Sequence, residues 1–421
     1  LSVPARLPAA GIPGASWIVV AAGVCAALHV GKLAPAIAVL QRDLGLTLVE
    51  AGFLLGLVQG AGMTVGLLVG AWCDGLGARR SLVLGLLLQA AASAGGALVA
   101  GAGPMLALRA LEGLGFLMVV LPAPGLLRAL TPADRVRGML GTWGAFMPVA
   151  IALALLAGPP VIESAGWRAW WMALAAVSVA MALTVRATVP AAAANAHAPV
   201  HPRLASPGAH PSDPVLGTLG QRVALTLCAP GPWFVALTFA VYSSQWLAVV
   251  GFLPTIVAQA GLSPLVTGLV AAGVAAANVV GNAASGHLMQ RGVPAPALLA
   301  AGFSTMAAGA LVGFAPLLDP GSAGRLAALV LFSAVGGLIP GTLFALAVQV
   351  APDERVVSST VGWMQQWSAA GQVLGPPAVA WVASAAGGWE RTWLATGACC
   401  VLGLALAGGL ARWQARRRAP R

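Results

Sequence analysis

Apolar runs of about twenty residues, the length a helix needs to cross a hydrocarbon core of about 30 Å, follow one another along the whole chain. They fall at roughly 17–40, 50–72, 81–100, 105–127, 138–161, 169–185, 231–257, 265–288, 297–318, 326–350, 356–384 and 392–410, with short polar stretches between them. Membrane β-strands would instead show short segments of alternating hydrophobicity, and the chain has none of that pattern. The runs predict an all-α integral membrane protein with twelve transmembrane helices. The longest polar stretch, 186–222, is rich in Pro, Ala and His (His197, His201, His210) and reads as a solvated linker rather than a metal site. It divides the chain into a 1–16 N-terminal segment, a 17–185 six-helix bundle, the 186–222 linker, a 223–410 six-helix bundle and a basic 411–421 tail.

The polar positions inside the runs carry the candidate chemistry. Lys32, the one lysine of the chain, lies within the first run three residues after His29. An ammonium near a bilayer centre costs at least ~2.5–3.5 kcal/mol, so such a group either serves a polar interior or snorkels along its own stem to the interface. Arg109 and Glu112 lie in the fourth run at i, i+3 spacing, where each can neutralise the other. Glu112 is the carboxylate set deepest in a span and is the candidate proton-coupling residue. The second half offers neutral groups instead: Tyr242 to Gln245 in span 7, Asn278 and Asn282 in span 8, and Trp363, Gln365, Gln366 and Trp367 in span 11. Trp170, Trp171, Trp389 and Trp393 read as interfacial anchors.

Composition agrees with this class and removes alternatives. Hydrophobic residues make up 59% of the chain and charged residues 8%, with a mean hydropathy of +0.90; a soluble domain carries about a quarter charged residues. The net charge of +11 does not point to nucleic acid, because the arginines sit in short loops. With an N-terminus in the cytoplasm, Arg42, Arg168, Arg325 and Arg391 are the arginines left outside, and Arg79, Arg80, Arg128, Arg135, Arg137, Arg186 and the C-terminal cluster fall inside. The bias predicts that both termini face the cytoplasm. The five cysteines lack metal spacing and read as small core residues. Residues 1–16 do not resemble a cleaved signal, and the leucine start suggests a shortened or alternatively initiated frame.

The two halves repeat one another. Gly70 through Gly77 answers Gly286 through Gly292, Pro132 through Trp143 answers Pro352 through Trp363, and Gly158-Pro159-Pro160 answers Gly375-Pro376-Pro377. Such duplications mark transporters with a substrate site where the halves meet. With these motifs the chain resembles the major facilitator superfamily over nearly its whole length. Its loop Gly70-x-x-x-Asp74-Gly75-x-Gly77-Ala78-Arg79-Arg80 is similar to that family's signature, departing from it at Gly75, and Arg109-x-x-Glu112-Gly113-x-Gly115 is similar to its second motif. The segment Gly141 to Pro148 with Gly158-Pro159-Pro160 resembles the cyanate-permease-like and nitroimidazole-permease-like subgroup. The resemblance implies two pseudo-symmetric six-helix bundles, a cytoplasmic latch at Gly70, Asp74, Gly77, Arg79 and Arg80, and a central path lined by spans 1 and 4.

These observations together predict a secondary transporter of a small organic anion, working by alternating access and coupled to protons, as a monomer in a bacterial inner membrane. Its expected substrate ligands are Lys32, His29, Arg109, Tyr242, Gln245, Trp363 and Gln366. No cofactor, metal or nucleic acid is expected, since no ATP-binding loop, nucleophile triad or zinc cluster is visible. A proton-driven efflux pump for apolar drugs is the alternative; a membrane sensor or membrane-embedded enzyme has less support.

Overall fold

A computed structural model describes residues 14–64, 76–132, 135, 139, 142–190, 219–258, 261–319, 322–353 and 356–418. The described residues are helical, and no strand occurs among them. Span 1 comprises Ala15–Gly31, a 3-10 turn at Ala34–Ala36 and Ile37–Leu44. It ends on Gly45 at φ +65°, a left-handed conformation in which glycine avoids a steric penalty. Span 2 starts at Leu48–Leu57 behind a capping box: Thr47 Oγ1 accepts the Glu50 amide hydrogen at 3.2 Å, and the Glu50 carboxylate accepts that of Thr47 at 2.8 Å. Spans 3 and 4 are Ala78–Gly96 and Ala102–Val120, the latter followed by Ala123–Leu130. The helical stretch Phe146–Thr188 is broken at Gly166, φ +82°, into spans 5 and 6.

The second half follows the same plan. Span 7 is Pro230–Ala258, preceded by Leu219–Cys228, and span 8 is Pro264–Gln290, opened by a Ser263 cap and a first-turn proline. Span 9 is Ala295–Phe314. Span 10 is Ala323–Gly336 continued by Leu338–Val350, span 11 is Val357–Ala386, and span 12 is Thr392–Arg418. Length and hydropathy alone select eight apolar helices among the described residues. Spans 5 and 6 count there as one helix; span 2 is interrupted at Val58–Gln59, and spans 3 and 11 carry an arginine pair and several glutamines and serines that lower their hydropathy. The chain has the expected twelve-helix membrane fold in two pseudo-symmetric bundles.

Two buried clusters lie mostly in one half each, and a third, with Leu54 and Trp171 beside Phe252 and Ala380, is shared between the halves. Leu82, Leu86, Phe116, Val119, Ala182 and Val185 are buried together in the first. Phe239, Phe303, Phe314, Phe332, Leu343 and Leu346 are buried together in the second. Between the halves, spans 2 and 11 run antiparallel at backbone contact. A Cβ on Gly52 would come within 2.7 Å of Pro377 Cα, and one on Gly56 within 2.4 Å of the Gln372 carbonyl oxygen. Further along, Gln366 Nε2 donates to the Met63 carbonyl at 2.9 Å. On the other flank, a Cβ on Gly268 of span 8 would lie 2.8 Å from the Leu155 carbonyl of span 5. Small residues at these points let the helices approach without a side chain between them. By chain direction these contacts run from mid-span to the end of the bundle opposite the two termini.

Candidate functional site

The first span breaks where its charged residue sits. Pro35 has no amide hydrogen to give the Gly31 carbonyl and its ring crowds that turn, so the helix stops at Gly31 and resumes at Ile37. The carbonyls exposed by the break are taken up by neighbours: Trp170 Nε1 donates to the Lys32 oxygen at 3.1 Å and Arg109 Nη1 to the His29 oxygen at 2.6 Å. Gly31 allows span 5 to press against the break, since a Cβ there would stand 2.9 Å from Ala154 Cβ and from Ile151 Cα. Gly158 does the same for Pro35, whose Cγ would lie 2.5 Å from an added Cβ.

Lys32, His29, Arg109 and Glu112 meet inside the first bundle. All four are 0–1% exposed, so Lys32 points into the protein and does not snorkel to the interface. Glu112 is the hub: Oε1 accepts from Lys32 Nζ and Oε2 from Arg109 Nη1. Lys32 Nζ also donates to Ser93 Oγ at 2.8 Å and to His29 Nδ1 at 3.4 Å, and lies 4.6 Å from the Trp171 ring. Ser93 Oγ gives its own hydrogen to the Trp171 carbonyl at 2.9 Å, which leaves it free to accept from Lys32. The three hydrogens of an ammonium therefore find three acceptors. Since an ammonium cannot accept, His29 Nδ1 is unprotonated, and its Nε2 donates to Ser178 Oγ at 2.8 Å. Arg109 donates through Nε to the Leu54 carbonyl at 3.2 Å, while its Nη2 is buried without a partner. With His29 neutral, two cations face one carboxylate and the cluster carries a net charge of +1.

The second bundle has a neutral hub. Asn278 Nδ2 donates to Tyr242 Oη at 2.8 Å and to the Ser333 carbonyl at 2.9 Å, and Asn278 Oδ1 accepts from Asn282 Nδ2 at 2.9 Å. Trp246 Nε1 donates to Ser333 Oγ at 3.1 Å. Spans 7, 8 and 10 are tied together in this way. Tyr242 accepts from Asn278, so the hydrogen of its own hydroxyl remains free to be donated. Gln245 turns instead toward span 12, where its Oε1 accepts from Cys400 Sγ at 3.3 Å. Trp363 stacks edge-on with Trp233 and Trp367, at ring separations of 5.0 and 5.8 Å, and Gln366 reaches across the seam to span 2.

Thus the four ionisable candidates of the first half are brought together, whereas Tyr242, Gln245, Trp363 and Gln366 belong to four separate contacts. Gly70 and Asp74 of the loop motif lie outside the described residues, as do His197, His201 and His210. Gly77 takes φ +82° at the start of span 3, and Arg79 donates to the Arg186 carbonyl at the end of span 6 within the same half. The expected interfacial role is corrected for three of the four tryptophans: Trp171 is 0% and Trp170 4% exposed, packed on the cluster, and Trp389 is buried against Phe252 at 5.0 Å. Ser93 and Ser178 complete the site although nothing in the sequence separates them from other serines of apolar helices. A cleft of about 470 Å3 lies between spans 2, 4 and 11, lined by Leu57, Gly60, Met63, Thr64, Leu111 and Val373 among others, on the opposite face of span 4 from Arg109 and Glu112.

Comparison with known proteins agrees with the architecture. The family model described as Major Facilitator Superfamily matches residues 19–376. Two crystal structures of a bacterial homolog to the human lysosomal transporter Spinster superpose on the chain. The inward-facing, unoccupied form gives a TM-score of 0.76 at 15% identity, covering 97% of this chain and 99% of that one. The inward-facing, occupied form gives 0.75 at 14% identity, covering 98% of each. At that identity the likeness concerns the fold. An uncharacterized MFS-type transporter of Mycobacterium tuberculosis (strain ATCC 25618 / H37Rv) is 31% identical over 102 residues, 24% of this chain and 18% of that protein. The aligned stretch is under a fifth of that relative's length.

Proposed function

Because the chain belongs to the major facilitator superfamily and is a membrane transporter rather than an enzyme, we propose that it moves a small organic anion by alternating access, using the proton gradient. The observation that carries this reading is the unbalanced charge: Lys32 and Arg109 face Glu112 alone, in surroundings that are 0–1% exposed. A buried cation without a counter-ion costs several kcal/mol, on the order of what makes an interior recruit a negative partner. Charge-assisted hydrogen bonds to a carboxylate supply that partner. Tyr242, with a hydroxyl hydrogen to spare, and the Trp363 group offer neutral contacts from the second half. Glu112, Lys32 and His29, buried together on spans 1 and 4, supply titratable groups for that coupling.

The seam contacts at the end opposite the termini, with both termini cytoplasmic as the arginine bias favours, correspond to a carrier open toward the cytoplasm. In this reading the bundles 17–185 and 223–410 rock about that seam as a monomer in a bacterial inner membrane, and the latch of Asp74 with Arg79 and Arg80 closes the cytoplasmic side in the alternate state. The motif likeness to cyanate-permease-like and nitroimidazole-permease-like proteins favours a compact cargo. A second reading, efflux of apolar compounds, draws on the apolar cleft between spans 2, 4 and 11.

Reconstitution in proteoliposomes with an imposed proton gradient tests the proposal. Uptake of labelled monocarboxylates that unlabelled carboxylates inhibit and lipophilic cations do not is the expected result; inhibition by lipophilic cations alone would favour the efflux reading.

A further inference from the structure

The cluster of Lys32, Glu112, Arg109 and His29 admits single-proton changes of two kinds, and they are far from equivalent. Adding a proton would raise the net charge from +1 to +2, either on Glu112, leaving both cations without a counter-ion, or on His29, setting a third cation beside Lys32. Removing one proton from Lys32 would lower it to zero and keep the Arg109–Glu112 pair intact. Self-energy in a poorly polarisable interior grows with the square of the charge, so the second change is the accessible one. Arg109 is no candidate, because a guanidinium keeps its proton in proteins.

We infer that Lys32, with Glu112 as its fixed counter-ion, is the seat of the coupling proton, and that this proton and the anionic cargo load together. The inference rests on the anion-carrier reading above and deepens it. The neutral amine can be accommodated in place: it keeps two hydrogens for Glu112 Oε1 and His29 Nδ1, and the Ser93 hydroxyl, 2.8 Å away, can turn to donate to its lone pair. In the release step the Nζ–H bond breaks, the electron pair stays on nitrogen and the proton passes to water once the cycle opens the site. The groups facing Nζ are His29 on its own span, Ser93 on span 3, Glu112 on span 4 and the Trp171 ring on span 6; Arg109 on span 4 shares Glu112, and Cys25 reaches Ser178 at 3.7 Å, one contact beyond His29. Among the described residues no other ionisable side chain enters the cluster.

Two neutral assemblies result: amine without anion, and ammonium with anion. The half-loaded states carry either +1 or −1 and are disfavoured. By linkage, a bound anion then holds the proton on Lys32 and the proton strengthens the anion by the same factor. Influx of the anion is thereby tied to one proton per negative charge.

The test is calorimetric titration of the purified full chain with acetate, lactate and benzoate in two buffers of different ionisation enthalpy. The wild type is expected to take up a proton on binding anion at alkaline pH, approaching one per anion, with affinity falling about tenfold per pH unit above the point where Lys32 is neutral. Lys32→Arg keeps its charge permanently, so it is expected to bind without proton uptake and with flat affinity over the same range. Anion binding with no proton uptake by the wild type would overturn the inference while leaving the anion reading in place; failure of every carboxylate to bind would overturn the reading itself. Infrared difference spectra of the wild type decide the seat independently of whether Lys32→Arg folds. With the ligand 13C-labelled at its carboxyl, a protonated-carboxyl stretch at the unlabelled frequency would place the proton on Glu112 and one at the shifted frequency would place it on the cargo, either of which overturns the inference; absence of both, with uptake observed, supports Lys32.

Discussion

The two bundles solve the problem of a polar centre inside a membrane protein by opposite means. In the first, a carboxylate holds two cations; in the second, an amide holds a phenol, a carbonyl and another amide. Each hub ties several helices together, spans 1, 3 and 4 in the first half and spans 7, 8 and 10 in the second. They differ in charge: the Asn278 hub is built of neutral groups, while the charge of the Glu112 hub depends on the Lys32 proton and on whether an anion is bound. A neutral hub fixes helix positions and responds to nothing else. A charged hub fixes them only while its charges are paired, so binding or loss of a single ion can change which arrangement is favoured. Sequence duplication thus left two frameworks of similar shape, one suited to sensing charge and the other to holding still.

The sharpest break of this contrast is Glu112→Gln. It leaves Lys32 and Arg109 facing each other with no anion between them, and the expected cost is about 3–5 kcal/mol of stability, the usual result of removing one partner of a buried ion pair. In detergent this reads as a large drop in melting temperature or loss of the monodisperse peak. Adding Lys32→Met to that variant should recover part of the loss, giving a coupling energy of about 0.5–3 kcal/mol in a double-mutant cycle. Additive effects would mean that Lys32 and Glu112 do not depend on each other and that the charge balance has been misread.

On the neutral side, Asn278→Ala should cost less, about 1–3 kcal/mol, for the buried partners it strands. Its effect should be the same across pH and at high or low salt, in contrast to substitutions at Lys32, whose effect on anion affinity should change with pH. The measurement is a set of melting curves for Asn278→Ala over a pH series. A pH-dependent penalty at Asn278 would erase the distinction between the two hubs.

Much of the fold was legible in the chain because transmembrane length and apolarity are strong signals; the break at Pro35 was not, since 17–40 reads as one continuous apolar run. The Arg109–Glu112 pair was legible from i, i+3 spacing, and Lys32 from being an isolated charge in an apolar run. What escaped is what depends on rotation of one helix against another. Ser93 and Ser178 look like any small residue in an alanine-rich helix until span 3 and span 6 turn them toward Lys32 and His29. Trp170 and Trp171 read as interfacial because aromatics commonly sit there, yet the break in span 1 draws one indole to the Lys32 carbonyl and the other under its ammonium. Gln245 is only a few residues from Tyr242, but it meets span 12 while Tyr242 meets span 8. Period alone gives a residue's face and not the helix that the face will meet.

The smallest expected effect lies where the two halves touch. Gln366 makes a neutral side chain to backbone hydrogen bond across the seam, 2.9 Å from the Met63 carbonyl. Gln366→Ala should cost about 0.5–1.5 kcal/mol of whichever state has the seam closed, without altering either hub. In the proposed rocking a closed seam exchanges for an open one, so that loss should show as a shift in population rather than as unfolding. Crosslinking between cysteines placed at Gly52 and Pro377 would be a poor reporter, since Gly52 admits no side chain without displacing Pro377. Hydrogen exchange at the amides of spans 2 and 11 avoids that difficulty: faster exchange there, with unchanged protection around Glu112 and Asn278, is the expected signature. If protection instead falls throughout both bundles, the seam bond is part of each half's own stability, and the two hubs do not act as separate rigid centres.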